Sequence, residues 1–253
     1  MCLILFAYRV HPVYKLIVAA NRDEDFQRPT SPVHFWEDSH GILAGRDLEK
    51  MGTWMGVTKG GRFAALTNFR NPKEITVGKH TRGELVADAL KYDGKLKDYM
   101  QNLMKNNHLY PGYNLVAGDG NELFYYSNIE KNLQKLKPGI YGVSNHLLNT
   151  EWPKVQIGKE GIARSINEKK EDMVNSLFTL LRNSEQAPDQ LLPNTGVPLE
   201  MERRLSSLFI QNERYGTRSS SVLLMSDEKI EFFERVFSQE QVNENDQKYT
   251  IDL

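Results

Sequence analysis

Met1-Cys2-Leu3-Ile4-Leu5-Phe6 opens the chain and carries its single cysteine. The apolar run Leu3 to Phe6 reads as a strand, which ties this end into a sheet instead of letting it fray. Cysteine is small enough to permit removal of the initiator methionine, so a processed chain would start at Cys2 with a thiol and a free α-amine on one residue. A free α-amine titrates near about 7.7–8.0 and a thiol near about 8.5. Such an amine is suited to act as the base for its own side chain. The same cysteine also fits a bland role, as a small hydrophobe packed at a strand end. The two readings agree on the strand and differ on what surrounds the sulfur.

Outward from this start, Leu3–Tyr8 and Leu16–Ala20 form an N-terminal hairpin turned through His11-Pro12, its second strand ending at Asn21-Arg22-Asp23-Glu24. Arg28-Pro29-Thr30-Ser31-Pro32 is expected to be extended loop, because each proline blocks helix. Trp54–Thr58 and Phe63–Asn68 are short strands around the glycine turn Lys59-Gly60-Gly61-Arg62. The period then changes. Arg82–Tyr92 and Leu96–Met104 place apolar residues on one helical face. Strand signals return at Tyr113–Ala117, Glu122–Ser127 and Gly139–Val143; helices are expected over Trp152–Asn167 and Met173–Arg182. Glu185–Pro198, with its prolines, reads as a surface loop ahead of two alternating runs, Ser221–Met225 and Ile230–Val236. Hairpins dominate and no βαβ alternation runs through the chain, so antiparallel sheets with helices packed on them are the expected α+β architecture. No repeat or linker divides residues 1–253, and one domain is expected.

Composition narrows the function classes. The charged fraction is 26% and the net charge −1, with Lys and Arg interspersed among Asp and Glu. Nucleic-acid binding needs a clustered basic face, so none is expected. One cysteine excludes an internal disulfide and a cysteine-rich zinc site, and the histidines at 11, 34, 40, 80, 108 and 146 lack metal-ligand spacing. No metal or other cofactor is assigned. The apolar start is too short to span a bilayer and lacks a basic n-region. A cytoplasmic protein with a small-molecule substrate or ligand is the expectation.

Several short motifs occur in order. They are Met1-Cys2; Ala19-Ala20-Asn21-Arg22-Asp23-Glu24 with Arg28-Pro29; Gly52-Thr53-Trp54-Met55-Gly56; Ala64-Ala65-Leu66-Thr67-Asn68; Arg82-Gly83-Glu84-Leu85; Tyr113-Asn114-Leu115; Gly142-Val143-Ser144-Asn145; and Tyr215-Gly216-Thr217-Arg218. Together they resemble the family named for its Asn-Arg-Asp-Glu signature, also called the transport-and-Golgi-organisation protein family. That family is similar to the N-terminal-nucleophile hydrolases. The resemblance implies a four-layer αββα sandwich of two mainly antiparallel sheets flanked by helices. It also implies a cysteine that attacks an amide. On this resemblance Cys2 corresponds to the nucleophile, Asp23 to the aspartate holding the cysteine's amine, Asn68 and Asn145 to two asparagines, and Arg218 to a late arginine. The early arginine falls out of register: Ala20 occupies the matching position and Arg22 lies two residues on.

The chemistry these residues allow is thiol attack on an acyl carbon. Arg22 or Arg218 near the sulfur would favour its ionised form, and Asn68 and Asn145 are candidate oxyanion donors. Arg22, Asn21 and Trp54 are expected on the substrate side, Trp54 as pocket wall. Each has a bland alternative: Asn21 to Glu24 as a polar turn, Asn68 and Asn145 as turn or cap residues, Arg218 as a solvated loop arginine. A non-catalytic carrier on the same scaffold, for haem or a lipid-related molecule, is the competing function that the resemblance implies.

Overall fold

A computed structural model describes residues 2–239 and 243–253. In chain order the strands are β1 (Cys2–Tyr8), β2 (Leu16–Asp25), β3 (Thr30–Trp36), β4 (Ser39–Asp47), β5 (Met55–Thr58) and β6 (Phe63–Asn68). Helices α1 (Gly83–Lys91) and α2 (Leu96–Lys105) follow, then β7 (Tyr113–Gly118), β8 (Leu123–Ser127), β9 (Asn132–Lys135) and β10 (Gly139–Val143). Next come α3 (Pro153–Ser165), α4 (Lys170–Leu181) and α5 (Leu199–Arg204), and finally β11 (Tyr215–Met225), β12 (Lys229–Phe237) and β13 (Asn243–Asp252).

The strands form two antiparallel sheets, a 6-stranded one in the order β10-β1-β2-β11-β12-β13 and a 7-stranded one in the order β3-β4-β5-β6-β7-β8-β9. Alternation along each strand sorts side chains to two faces. Ile4 and Phe6 of β1 and Val18 and Ala20 of β2 meet Leu43, Val57, Phe63, Ala65 and Val116 of the other sheet, making the core between the sheets. The opposite phase, Leu3, Leu5, Ile17 and Ala19, packs on Val155 and Ile162 of α3 and Leu177 and Leu181 of α4. On the far side of the second sheet, Ala64, Leu66 and Leu115 pack on Leu85, Val86 and Ala89 of α1 and Met100 of α2. Strands buried on both faces read as continuous apolar runs, as 3–7 and 16–20 do. The result is an αββα sandwich, the architecture that the resemblance implied.

Three expectations are corrected. The second strand does not stop at the Asn-Arg-Asp-Glu stretch. It continues to Asp25, paired with β1 as far as Arg22 and with β11 to its end. Pairing with β11 holds the backbone extended there, so the polar side chains alternate between faces instead of forming a turn. Second, the stretch 28–32 is not all loop, because β3 begins at Thr30 and includes Pro32. The strand is at the edge of its sheet, with a register shift between Ser31 and His34, where a missing N–H is tolerated. Third, β13 adds a polar edge strand beyond the two terminal runs. Its composition, Asn-Glu-Asn-Asp-Gln-Lys, masks it in the sequence.

Candidate active site

Between the sheets, at the end where β1 begins, lies a cleft of about 320 Å³ lined by Cys2, Arg22, Asp23, Glu24, Arg28, Arg46, Trp54, Asn68, Arg82, Arg218 and Glu234, among others. The structure brings Cys2, Arg22, Asp23, Trp54, Asn68 and Arg218 to this one place from strands far apart in sequence. Cys2 is 9% exposed, on the phase of β1 that faces the opposite sheet. Its cross-strand partner is Arg22, while Ala20 pairs with Ile4. The two-residue offset noticed in the sequence therefore keeps Arg22 on the same face, directly beside the thiol, because side chains alternate with period 2. Arg22 is buried, Nη2 lies 3.8 Å from Glu24 Oε2, and Nη1 has no hydrogen-bond partner among the described residues.

Burial pushes the Cys2 thiol above its ordinary range; the Asp23 carboxylate adds to that, while the Arg22 guanidinium and a hydrogen bond from the Asp23 backbone oppose it. Asp23 is buried on the helix-facing side of β2, with Oδ1 accepting from Thr217 Oγ1 at 2.7 Å and its carbonyl accepting from the Tyr215 hydroxyl at 2.9 Å. Burial raises this carboxyl, and Lys154, the Thr217 hydrogen bond and Arg22 pull it back.

Arg218 reaches the cleft through a β-bulge. Thr217 pairs with Asp23 and Ser219 with Arg22, so Arg218 is the extra residue, re-aimed as bulged residues are. Its Nη1 donates to the carbonyls of Asp25 and Arg28 at 2.9 and 2.8 Å. Asn68 ends β6 and is half-buried on the cleft wall.

Two expected site residues do not line the cleft. Asn145 is fully buried behind Asn68, its Nδ2 donating to the Asn68 carbonyl at 3.1 Å and its Oδ1 accepting from Ser144 Oγ at 3.2 Å. Asn21, in the opposite phase to Arg22, faces the helices. There its Nδ2 donates to Leu181 O and Leu208 O at 2.8 Å each, and its Oδ1 accepts from Ser220 Oγ at 2.6 Å. Period-2 alternation removes it from the substrate side. It caps carbonyls at the end of α4 and in the 205–210 segment. The expectation about Met1 lies outside the described residues.

Sequence reading missed Glu234 and Lys154. Glu234 is buried in the inward phase of β12, accepts from the Val33 N–H at 2.7 Å, and is pushed up to about 7, by burial first. A signal was there: Ile230, Phe232, Glu234 and Val236 share one phase, and the glutamate is its only charge. Lys154, in the first turn of α3, is fully buried and left no mark beyond its place after Trp152-Pro153. Among the described residues no cluster of three or more His, Cys, Asp or Glu is arranged to hold a metal ion, and no helix is long and apolar enough to cross a membrane.

The "Transport and Golgi organisation 2" family model matches residues 1–239. The chain is 36% identical over 256 residues to the human Transport and Golgi organization protein 2 homolog, covering 93% of this chain and 92% of that one. It is 32% identical to Transport and Golgi organization protein 2 of Drosophila melanogaster, covering 94% and 93%. Among solved structures, the Caenorhabditis elegans ortholog of N-acylethanolamine-hydrolyzing acid amidase aligns with a TM-score of 0.48 at 12% identity, covering 88% of this chain and 92% of that chain. The C2A mutant of conjugated bile acid hydrolase from Clostridium perfringens aligns with a TM-score of 0.48 at 10% identity, covering 100% and 92%. By its sequence, over nearly its whole length, the chain belongs to the Transport and Golgi organisation 2 family.

Proposed function

We propose that the chain is a cysteine amidohydrolase that cleaves the C–N bond of a small non-peptide amide, with Cys2 as nucleophile. The observation that carries this reading is the surroundings of the chain's one thiol. It opens onto a polar cleft, with Arg22 across the ladder and the Asp23 N–H hydrogen-bonded to sulfur, and is not sealed in a dry core. In this reading the Cys2 sulfur bonds to the acyl carbon and the C–N bond breaks. The amine departs with the thiol proton, and water then cleaves the thioester to a carboxylic acid and returns the thiol. Burial keeps the resting thiol protonated, so a base is required. The α-amine of a processed Cys2 supplies it, next to the Asp23 carboxylate. Asn68 donates to the developing oxyanion, Asn145 holds Asn68 from behind, and Arg218, Arg22 and Trp54 line the substrate's path. A single reduced thiol suits the cytoplasm, where we place the activity.

The test is a panel of small amides assayed with wild type and Cys2→Ala, after intact mass has established whether Met1 is removed. Turnover by wild type at least about 100-fold above the variant is expected, as for loss of a covalent nucleophile. Equal turnover removes the assignment. A haem absorbance shift on titration with no amide turned over moves the protein to the carrier reading.

A further inference from the structure

Lys154 is 2% exposed, and its Nζ has no hydrogen-bond partner among the described residues. Nothing about its position favours it as scaffold. Leaving a buried ammonium unpaired is costly. It also sits in the first turn of α3, where the helix macrodipole disfavours a cation. What faces it is the inner side of the Cys2 site. Asp23 points to the helix layer from β2, and α3 packs against β1, where Cys2 begins the strand. Asp23 and Cys2 act on Lys154, together with Arg70 from the segment after β6 and Glu202 of α5. Tyr215 of β11 borders the same Asp23 and Cys2.

We propose that Lys154 is a positioning residue of the Cys2 site: its ammonium is the buried countercharge that keeps Asp23 ionised and thereby sets how readily the Cys2 thiol ionises. The proposal rests on the nucleophile reading above and deepens it. Burial drives Lys154 down to about 8, opposed first by Asp23, so the ammonium is present at neutral pH and is lost as pH rises toward the higher range where the buried thiol ionises. With Lys154 charged, Asp23 and Lys154 cancel and the thiolate forms beside a neutral pair. Without that charge the thiolate would form beside a carboxylate that has lost one of its countercharges, and less of it would be present at neutral pH.

Because the chain has one cysteine, alkylation by iodoacetamide reads Cys2 alone. The rate is measured from pH 6 to 10 on the full chain as wild type, Lys154→Met and Lys154→Arg, each checked for folding by near-ultraviolet circular dichroism. Lys154→Met is expected to slow alkylation at neutral pH, where the wild-type ammonium is charged, at least about threefold. Arginine keeps its charge throughout, so Lys154→Arg is expected to move the midpoint down and speed alkylation. These opposite effects follow charge and not packing. If the methionine variant does not fold, the arginine variant decides alone. Unchanged reactivity, or changes in the same direction, overturn the proposal. Opposite effects in a protein that turns over no amide would support the role of Lys154 and sink the hydrolase. Unchanged reactivity with turnover intact would do the reverse.

Discussion

Asp23 shows how much one buried carboxylate depends on its neighbours. Its Oδ1 is held by the Thr217 hydroxyl at 2.7 Å, and Thr217 is fully buried and also accepts from the Ile210 N–H at 2.9 Å. Thr217→Val keeps the shape and deletes both bonds. Leaving a buried charged acceptor short of a partner is expected to cost about 1–3 kcal/mol, measured by urea unfolding at pH 7. Thr217→Ser, which retains the hydroxyl, should recover most of it. At this scale the sequence was informative about residue type and silent about direction. Asn21, Arg22 and Asp23 are adjacent letters, yet Arg22 stands beside the thiol while Asn21 caps α4 across the sheet. Which face each takes depends on a register that the pairing with β1 and β11 sets.

Between elements, two motifs that are separate in the sequence turn out to be one contact. Gly52, before Trp54, and Gly83, opening α1, touch through their backbones, with the Thr53 N–H donating to the Gly83 carbonyl at 3.1 Å. A Cβ on Gly52 would come within 2.6 Å of the Gly83 carbonyl carbon. Since the obstacle is backbone and no side chain can swing aside, Gly52→Ala is expected to destabilise by about 1–3 kcal/mol and to shift the Trp54 fluorescence maximum. A thermal melt within a degree of wild type, with an unchanged emission spectrum, would contradict the close approach. Helices α1 to α4 and most strands were legible from periodicity, with ends displaced by a few residues, whereas the six-residue α5 was not. The strands that escaped notice, β3, β4, β9 and β13, carry Pro32, Gly41 and Gly45, or a polar run. Such residues weaken the strand signal and are tolerated at or near sheet edges.

The two sheets are joined across the cleft floor by Glu234, whose carboxylate accepts from Val33 on the opposing edge strand. Its folded value near 7, raised chiefly by burial, lies above the unfolded value of about 4.3. Between those values the native state holds the extra proton, so stability falls as pH rises from about 4.3 to 7 and the full cost applies above 7. Glu234→Gln keeps the acceptor and removes the charge. It should leave stability at pH 4 unchanged and raise it at pH 8 by up to about 3 kcal/mol, read from urea midpoints at both pH values. The sequence alone determined the strand that carries Cys2, most of the hairpin and helix order, and, through ordered motifs, the family. Local periodicity and turn chemistry are properties of neighbouring residues. The tertiary structure alone decided that Arg22 faces the thiol, that Asn21 and Asn145 stand off the cleft wall, and that Lys154 and Glu234 are buried around it. Those facts depend on strand register and layer packing between segments up to two hundred residues apart, and no local pattern encodes them.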